Sequence, residues 1–191
     1  MKLSGKSWTA LLTGSAAFFI SAEALAQDSG FKSLTEIEAA LNPLEVVANH
    51  GGVRRSIDLN IQFELNSANL TKSAEQQITA LAGALNSSAL SQCYILLTGH
   101  TDATGSAASN LSLSQVRAES VKATLVMDYG VNLEKVIADG KGESELIEGL
   151  APDDARHRRV EVSLEDPQAC KQKAAAANEK QESPGEMKID W

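Results

Sequence analysis

The stretch GHTDATGSAASNLSLSQVRA, residues 99–118, sets an acid and a base on either side of a glycine-containing loop. The apolar run Tyr94 to Leu97 leads into it, so Asp102 is expected where a buried strand emerges from its sheet. Ser114 has the character of a helix N-cap, which puts Arg117 in the first helical turn, beside unpaired backbone N–H groups that favour an anion. Loop and helix start then form a cup in which Asp102 pairs with an ammonium and Arg117 takes a carboxylate in fork geometry. Thr104 is a further ligand candidate, and Asn110 suits either a ligand contact or the shaping of the loop. An aspartate after a strand is ordinarily an Asx-turn residue and a lone helix arginine is ordinarily solvated, so the weight rests on the combination.

Upstream, Ile57, Leu59, Ile61, Phe63 and Leu65 alternate with Asp58, Asn60, Gln62 and Glu64, the pattern of a strand with one wet face. Thr71 is placed to cap a helix whose Ile78, Leu81, Ala82 and Leu85 form an apolar stripe. The Tyr94–Leu97 run lacks alternation, as a central strand covered on both faces would. A second helix is expected over 114–129, burying Ala118, Val121 and Leu125 and ending at Gly130. A third strand is read at Val136–Ala138 and a last at Arg159–Leu164, with Val160, Val162 and Leu164 inward and Arg159, Glu161 and Ser163 outward. The order β-α-β-α-β-β implies an α/β (α+β) two-layer sandwich, with helices on one side of a mixed sheet.

The expected divisions are residues 1–26, 27–54, 55–165 and 166–191. Lys2 and Lys6 precede an apolar run from Trp8 to Ile20, and Ala24-Leu25-Ala26 supplies a small-x-small cleavage pattern, so 1–26 reads as a secretory signal and the mature chain as starting at Gln27. The run is too short and too interrupted for a membrane anchor, no cysteine follows the cleavage site to carry a lipid, and no second apolar span occurs. A location outside the cytoplasm is the expectation from these residues. In 27–54, Ser33-Leu34-Thr35-Glu36 forms a capping box, Leu34, Ile37 and Leu41 keep helical spacing before Pro43, and Gly51-Gly52 breaks the chain. The segment after Asp166-Pro167 reads as a polar tail without a core of its own.

A chain of 191 residues, 43% apolar and 22% charged, is sized for one globular domain plus extensions. Its net charge of −8, with basic residues clustered only at Arg156–Arg159, argues against nucleic acid as a partner. Enzyme motifs fail. Residues 142–146 miss the nucleophile-elbow pattern at the final position, and 140–145 miss the last glycine of a dinucleotide fingerprint. His50, His100 and His157 show no metal-ligand spacing and Cys93 and Cys170 lie far apart, so neither a metal nor a cofactor is expected.

With Ile61-Gln62-Phe63, Ser67-Ala68, Gly99-His100-Thr101-Asp102, Gly105, Asn110, Leu113-Ser114, Arg117-Ala118, Gly130-Val131, Gly140-x-Gly142-Glu143 and Arg158-Arg159-Val160-Glu161 in order, the chain resembles the OmpA-like peptidoglycan-binding domain over about residues 55 to 165. It departs from that pattern at Ser109 and Lys141, where the family usually has aromatics, and at His157, where it has asparagine. The resemblance implies the same β-α-β-α-β-β order and non-catalytic binding of peptidoglycan through the meso-diaminopimelate of its stem peptide, gripped by Asp102 and Arg117. It also narrows the expected location to the periplasm, with cell-wall or outer-membrane association. Arg158 and Arg159 are secondary candidates; Arg159 is the better placed by strand alternation, although an ion pair suits it more. The other reading is an interaction module on the same fold that binds an envelope protein. Export favours a Cys93–Cys170 disulfide over two free thiols, and if Arg158-Arg159 begin the last strand near the cup, as the resemblance suggests, the far ends of two antiparallel strands meet there.

Overall fold

The computed structural model describes residues 30–42, 55–166, 170 and 172. The signal segment 1–26, the Gly51-Gly52 break and nearly all of the tail lie outside them. A four-stranded sheet is formed by β1 (Ser56–Leu59), β2 (Ile95–His100), β3 (Val136–Gly142) and β4 (Val160–Leu164), in the order β1-β4-β2-β3. β2 runs parallel to β3, whereas β4 is antiparallel to both β1 and β2, so the sheet is mixed. The helices are α1 (Leu34–Leu41), α2 (Ala74–Leu85) and α3 (Ala107–Met127), and the domain follows the β-α-β-α-β-β order.

Alternation along β2 and β4 turns Ile95, Leu97, Val160, Val162 and Leu164 into one core with Ile78, Leu81 and Leu85 of α2 and Val121 and Leu125 of α3. The central placement of the Tyr94–Leu97 run is confirmed, since β2 has neighbours on both edges. α1 also belongs to this core. Ser33 and Glu36 complete the capping box, Ile37 and Leu41 are fully buried, and the Gln77 side chain bonds both the N–H and the C=O of Lys32, at 2.8 and 2.9 Å.

Four local expectations are corrected. β1 stops at Leu59 rather than reaching Leu65, because Asn66 takes a positive φ of 50° and the Glu64 N–H bonds Asn69 O at 2.9 Å, closing a turn that leaves Leu65 91% exposed. Thr71 does not cap α2 through its side chain, which donates instead to Gln62 O at 3.2 Å; the helix begins at Ala74. Ser163 lies on the face away from the helices, as alternation requires, yet is buried: it is a small side chain in a strand flanked on both edges. The fourth concerns α3. It starts at Ala107, with the Ser106 side chain accepting the Ser109 N–H at 3.2 Å, so Ser114 is not its N-cap.

Ser114 instead fastens α3 to the sheet. Fully buried, its hydroxyl donates to Leu111 O at 2.8 Å and accepts the Gly142 N–H at 2.9 Å. The helix backbone comes so close here that a Cβ at Gly99 would run into Ser114 O, and one at Gly140 into Gln115 N. Cys93 and Cys170 form a disulfide with Cα atoms 4.7 Å apart. It lies at the end of the β2–β4 pair opposite Asp102, where the Glu165 N–H bonds Tyr94 O at 3.0 Å.

Candidate functional site

Asp102 follows the C-terminal end of β2, on a backbone held by hydrogen bonds from the Thr101 N–H to Gly142 O and from the Ala103 N–H to Pro152 O, both 2.9 Å. One carboxylate oxygen accepts the Thr104 N–H at 3.0 Å, an Asx turn, and the other accepts from the Arg158 guanidinium at 2.5 Å. Burial works to raise this carboxyl, but the bonds from Arg158 and Thr104 outweigh it and hold Asp102 below the usual carboxylate range. A carboxylate offers about four acceptor positions, so two used here leave room for an ammonium.

Arg117 lies in the middle of α3, ten residues from its first residue, hence roughly 15 Å from the helix N-terminus. The expectation that this N-terminus assists it is therefore corrected. What orients Arg117 is the 61–71 loop: its Nε–H donates to Ser67 O at 3.0 Å and its guanidinium sits 4.9 Å from the centre of the Phe63 ring. Burial, with the positive charge of Arg158, lowers its pKa, and Asp102 opposes them. Arg117, Arg158, Phe63, Gln62 and Asn60 line a groove of about 560 Å3; Asp102 is not among its lining residues and is joined to it through the bond from Arg158.

The remaining candidates divide. Asn110 is buried and its amide donates to Asp102 O and Thr104 O, each at 3.2 Å, and to the Glu143 carboxylate at 2.5 Å, so its geometry is that of a loop tie. Thr104 is exposed beside Asp102. Arg159 lines the same groove, but its Nε is 3.0 Å from the Asp58 carboxylate on β1. Arg158, set second in the sequence reading, is the arginine that reaches Asp102. It lies two residues before β4 and closes the Ala155–His157 turn, its N–H bonding Ala155 O at 3.1 Å, so strand alternation does not set its direction. Buried His157 ties down the neighbouring loop, its Nδ1 accepting the Ile147 N–H at 3.1 Å and its Nε2 lying 2.8 Å from Ala151 O. One grouping went unnoticed because its members are distant in sequence: among the described residues, His100, Glu145 and Glu161 bring nitrogen and carboxylate oxygens within 4.8 Å of one another.

Fold and groove together define a mixed-sheet α+β domain whose groove carries Arg117 and Arg158, the latter bonded to the Asp102 carboxylate. The OmpA family model matches residues 62–159, and the chain belongs to the OmpA family. Outer membrane protein A of Yersinia pseudotuberculosis serotype I (strain IP32953) is 32% identical over 126 residues, 58% of this chain and 34% of that protein. The probable lipoprotein YiaD of Escherichia coli (strain K12) is 32% identical over 107 residues, 55% of this chain and 48% of that protein. The chain thus spans between a third and a half of the length of these relatives. Among solved structures, the periplasmic domain of Helicobacter pylori MotB has a TM-score of 0.52 at 19% identity, covering 71% of this chain and 91% of that one, a likeness of fold. No helix among the described residues is long and apolar enough to cross a membrane.

Proposed function

We propose that this domain is a non-catalytic module of the periplasm that binds peptidoglycan through meso-diaminopimelate, with Asp102 taking the side-chain ammonium and Arg117 the carboxylate on the same carbon. The observation that carries the reading is the charge of the site. Two guanidiniums, Arg117 and Arg158, stand against the single Asp102 carboxylate, which leaves a surplus positive charge. A lone ammonium gains little there, whereas a group carrying an ammonium and a carboxylate together satisfies both signs. Arg117 uses Nε for Ser67, and its two terminal nitrogens make no other hydrogen bond among the described residues, which suits a carboxylate accepted side-on. Thr104, exposed beside Asp102, is a secondary contact, and Asn110 keeps the loop in shape. Membership of the OmpA family and likeness to outer-membrane proteins and a lipoprotein support an envelope location.

Co-sedimentation with purified peptidoglycan tests this. Asp102→Ala and Arg117→Ala are each expected to weaken binding more than tenfold, since removing one side of a charge-assisted contact costs roughly 2–5 kcal/mol, with far-UV circular dichroism unchanged. Wild-type sedimentation by both variants would refute the site.

A further inference from the structure

The sheet face turned away from the helices ends in a buried side chain whose bonding capacity is unused. His100, the last residue of β2, has a side chain with no exposed area, and neither ring nitrogen has a hydrogen-bond partner. Its Nε2 points at the Glu161 carboxylate of β4 from 3.6 Å, beyond hydrogen-bond distance. The Glu145 carboxylate, on the loop after β3, closes the triangle within 4.8 Å. A buried imidazole ordinarily gives one N–H to an acceptor; this one faces two carboxylates and bonds neither.

We propose that His100, Glu145 and Glu161 form a binding site for a divalent transition-metal cation of the zinc type. Ligands about 2.1 Å from a tetrahedral ion stand about 3.4 Å apart, close to the 3.6 Å between His100 and Glu161. Glu145 has to move in by about 1.4 Å at most, and it can, because it is exposed and its present contact is a 3.9 Å pair with Lys141, of the kind that contributes little. The buried His100 ring leaves both nitrogens without a hydrogen-bond partner, so a ring nitrogen facing the two carboxylates is open to a metal. Arg159 is the opposing charge, and Asp58 engages it at 3.0 Å. Two carboxylates and a neutral imidazole are a borderline donor set, which favours zinc over calcium or magnesium. The site adjoins the groove, since His100 and Arg159 also line it, but it requires nothing of the peptidoglycan reading.

The test is calorimetric titration of zinc into the EDTA-treated mature chain, with cobalt absorption as the reporter of geometry. One zinc per chain is expected, and Glu145→Gln, an exposed change that leaves the fold intact, weakens it at least tenfold. Glu161→Gln does the same, and His50→Ala leaves it unchanged. Absence of binding by the wild type, or wild-type affinity in both Glu145→Gln and Glu161→Gln, would overturn the proposal.

Discussion

At the scale of single residues, the site depends on a carboxylate held ionised by its neighbours. Asp102 binds a proton less readily in the folded state than in the unfolded chain, so its contribution to stability is present above about pH 4 and is lost as pH falls through the lowered folded value. Comparing wild type with Asp102→Asn isolates this from the other acids. The gap between their urea midpoints is expected to be widest near pH 7 and to narrow below pH 4, and a gap independent of pH would contradict the ion pair with Arg158. The position of Asp102 after a strand and that of Arg117 on a helix were legible in the sequence. That of Arg158 was not: alternation assigns direction only to residues within a strand, and Arg158 closes the Ala155–His157 turn two residues before β4. His100, one of three histidines without metal-ligand spacing in the sequence, faces carboxylates contributed by segments far along the chain.

At the scale of elements, the early part of α3 escaped the sequence reading for a physical reason. Its sheet-facing stripe consists of Asn110, Ser114 and Ala118, which are polar or small, so hydrophobic periodicity carries no signal until Val121. Small residues are there because helix and sheet backbones touch, with Gly99 and Gly140 as the receiving surface. Gly99→Ala is therefore expected to cost at least 1–3 kcal/mol, since its Cβ meets helix backbone. Gly83→Ala in α2 meets only the end of the half-exposed Leu34 side chain, and the gain in helix propensity of about 1 kcal/mol offsets most of the crowding. Urea unfolding of the two variants checks the ordering, and equal losses would contradict the close approach. β1 fails in the opposite sense: alternation to Leu65 was genuine in the residues but was overruled by the turn at Asn66.

At the scale of the molecule, the helix and strand order could be read from the chain, and the resemblance set the last strand antiparallel to the Asp102 strand, whereas the placing of β4 between β1 and β2 could not be read, because it joins segments far apart in sequence. That pairing builds the groove, bringing together the 58–63 segment, the end of β2, Arg117 and the 155–160 segment. It also sets Cys93 beside Cys170. A disulfide across 77 residues contributes about 4 kcal/mol in the chain-entropy model, so reduction is expected to lower the urea midpoint without abolishing the fold. Thiol titration of the unfolded, unreduced chain is expected to find none free, and two reactive thiols would contradict the bridge.

The most direct measurement is calorimetric titration of the mature chain with two soluble stem-peptide fragments, identical except for meso-diaminopimelate in one and lysine in the other. The diaminopimelate fragment is expected to bind at least tenfold more tightly, a difference of about 1.4 kcal/mol or more, and Arg117→Ala is expected to erase the preference. Equal affinity of the wild type for both fragments would contradict the assignment of Arg117 to the ligand carboxylate, and with it the proposed use of the groove.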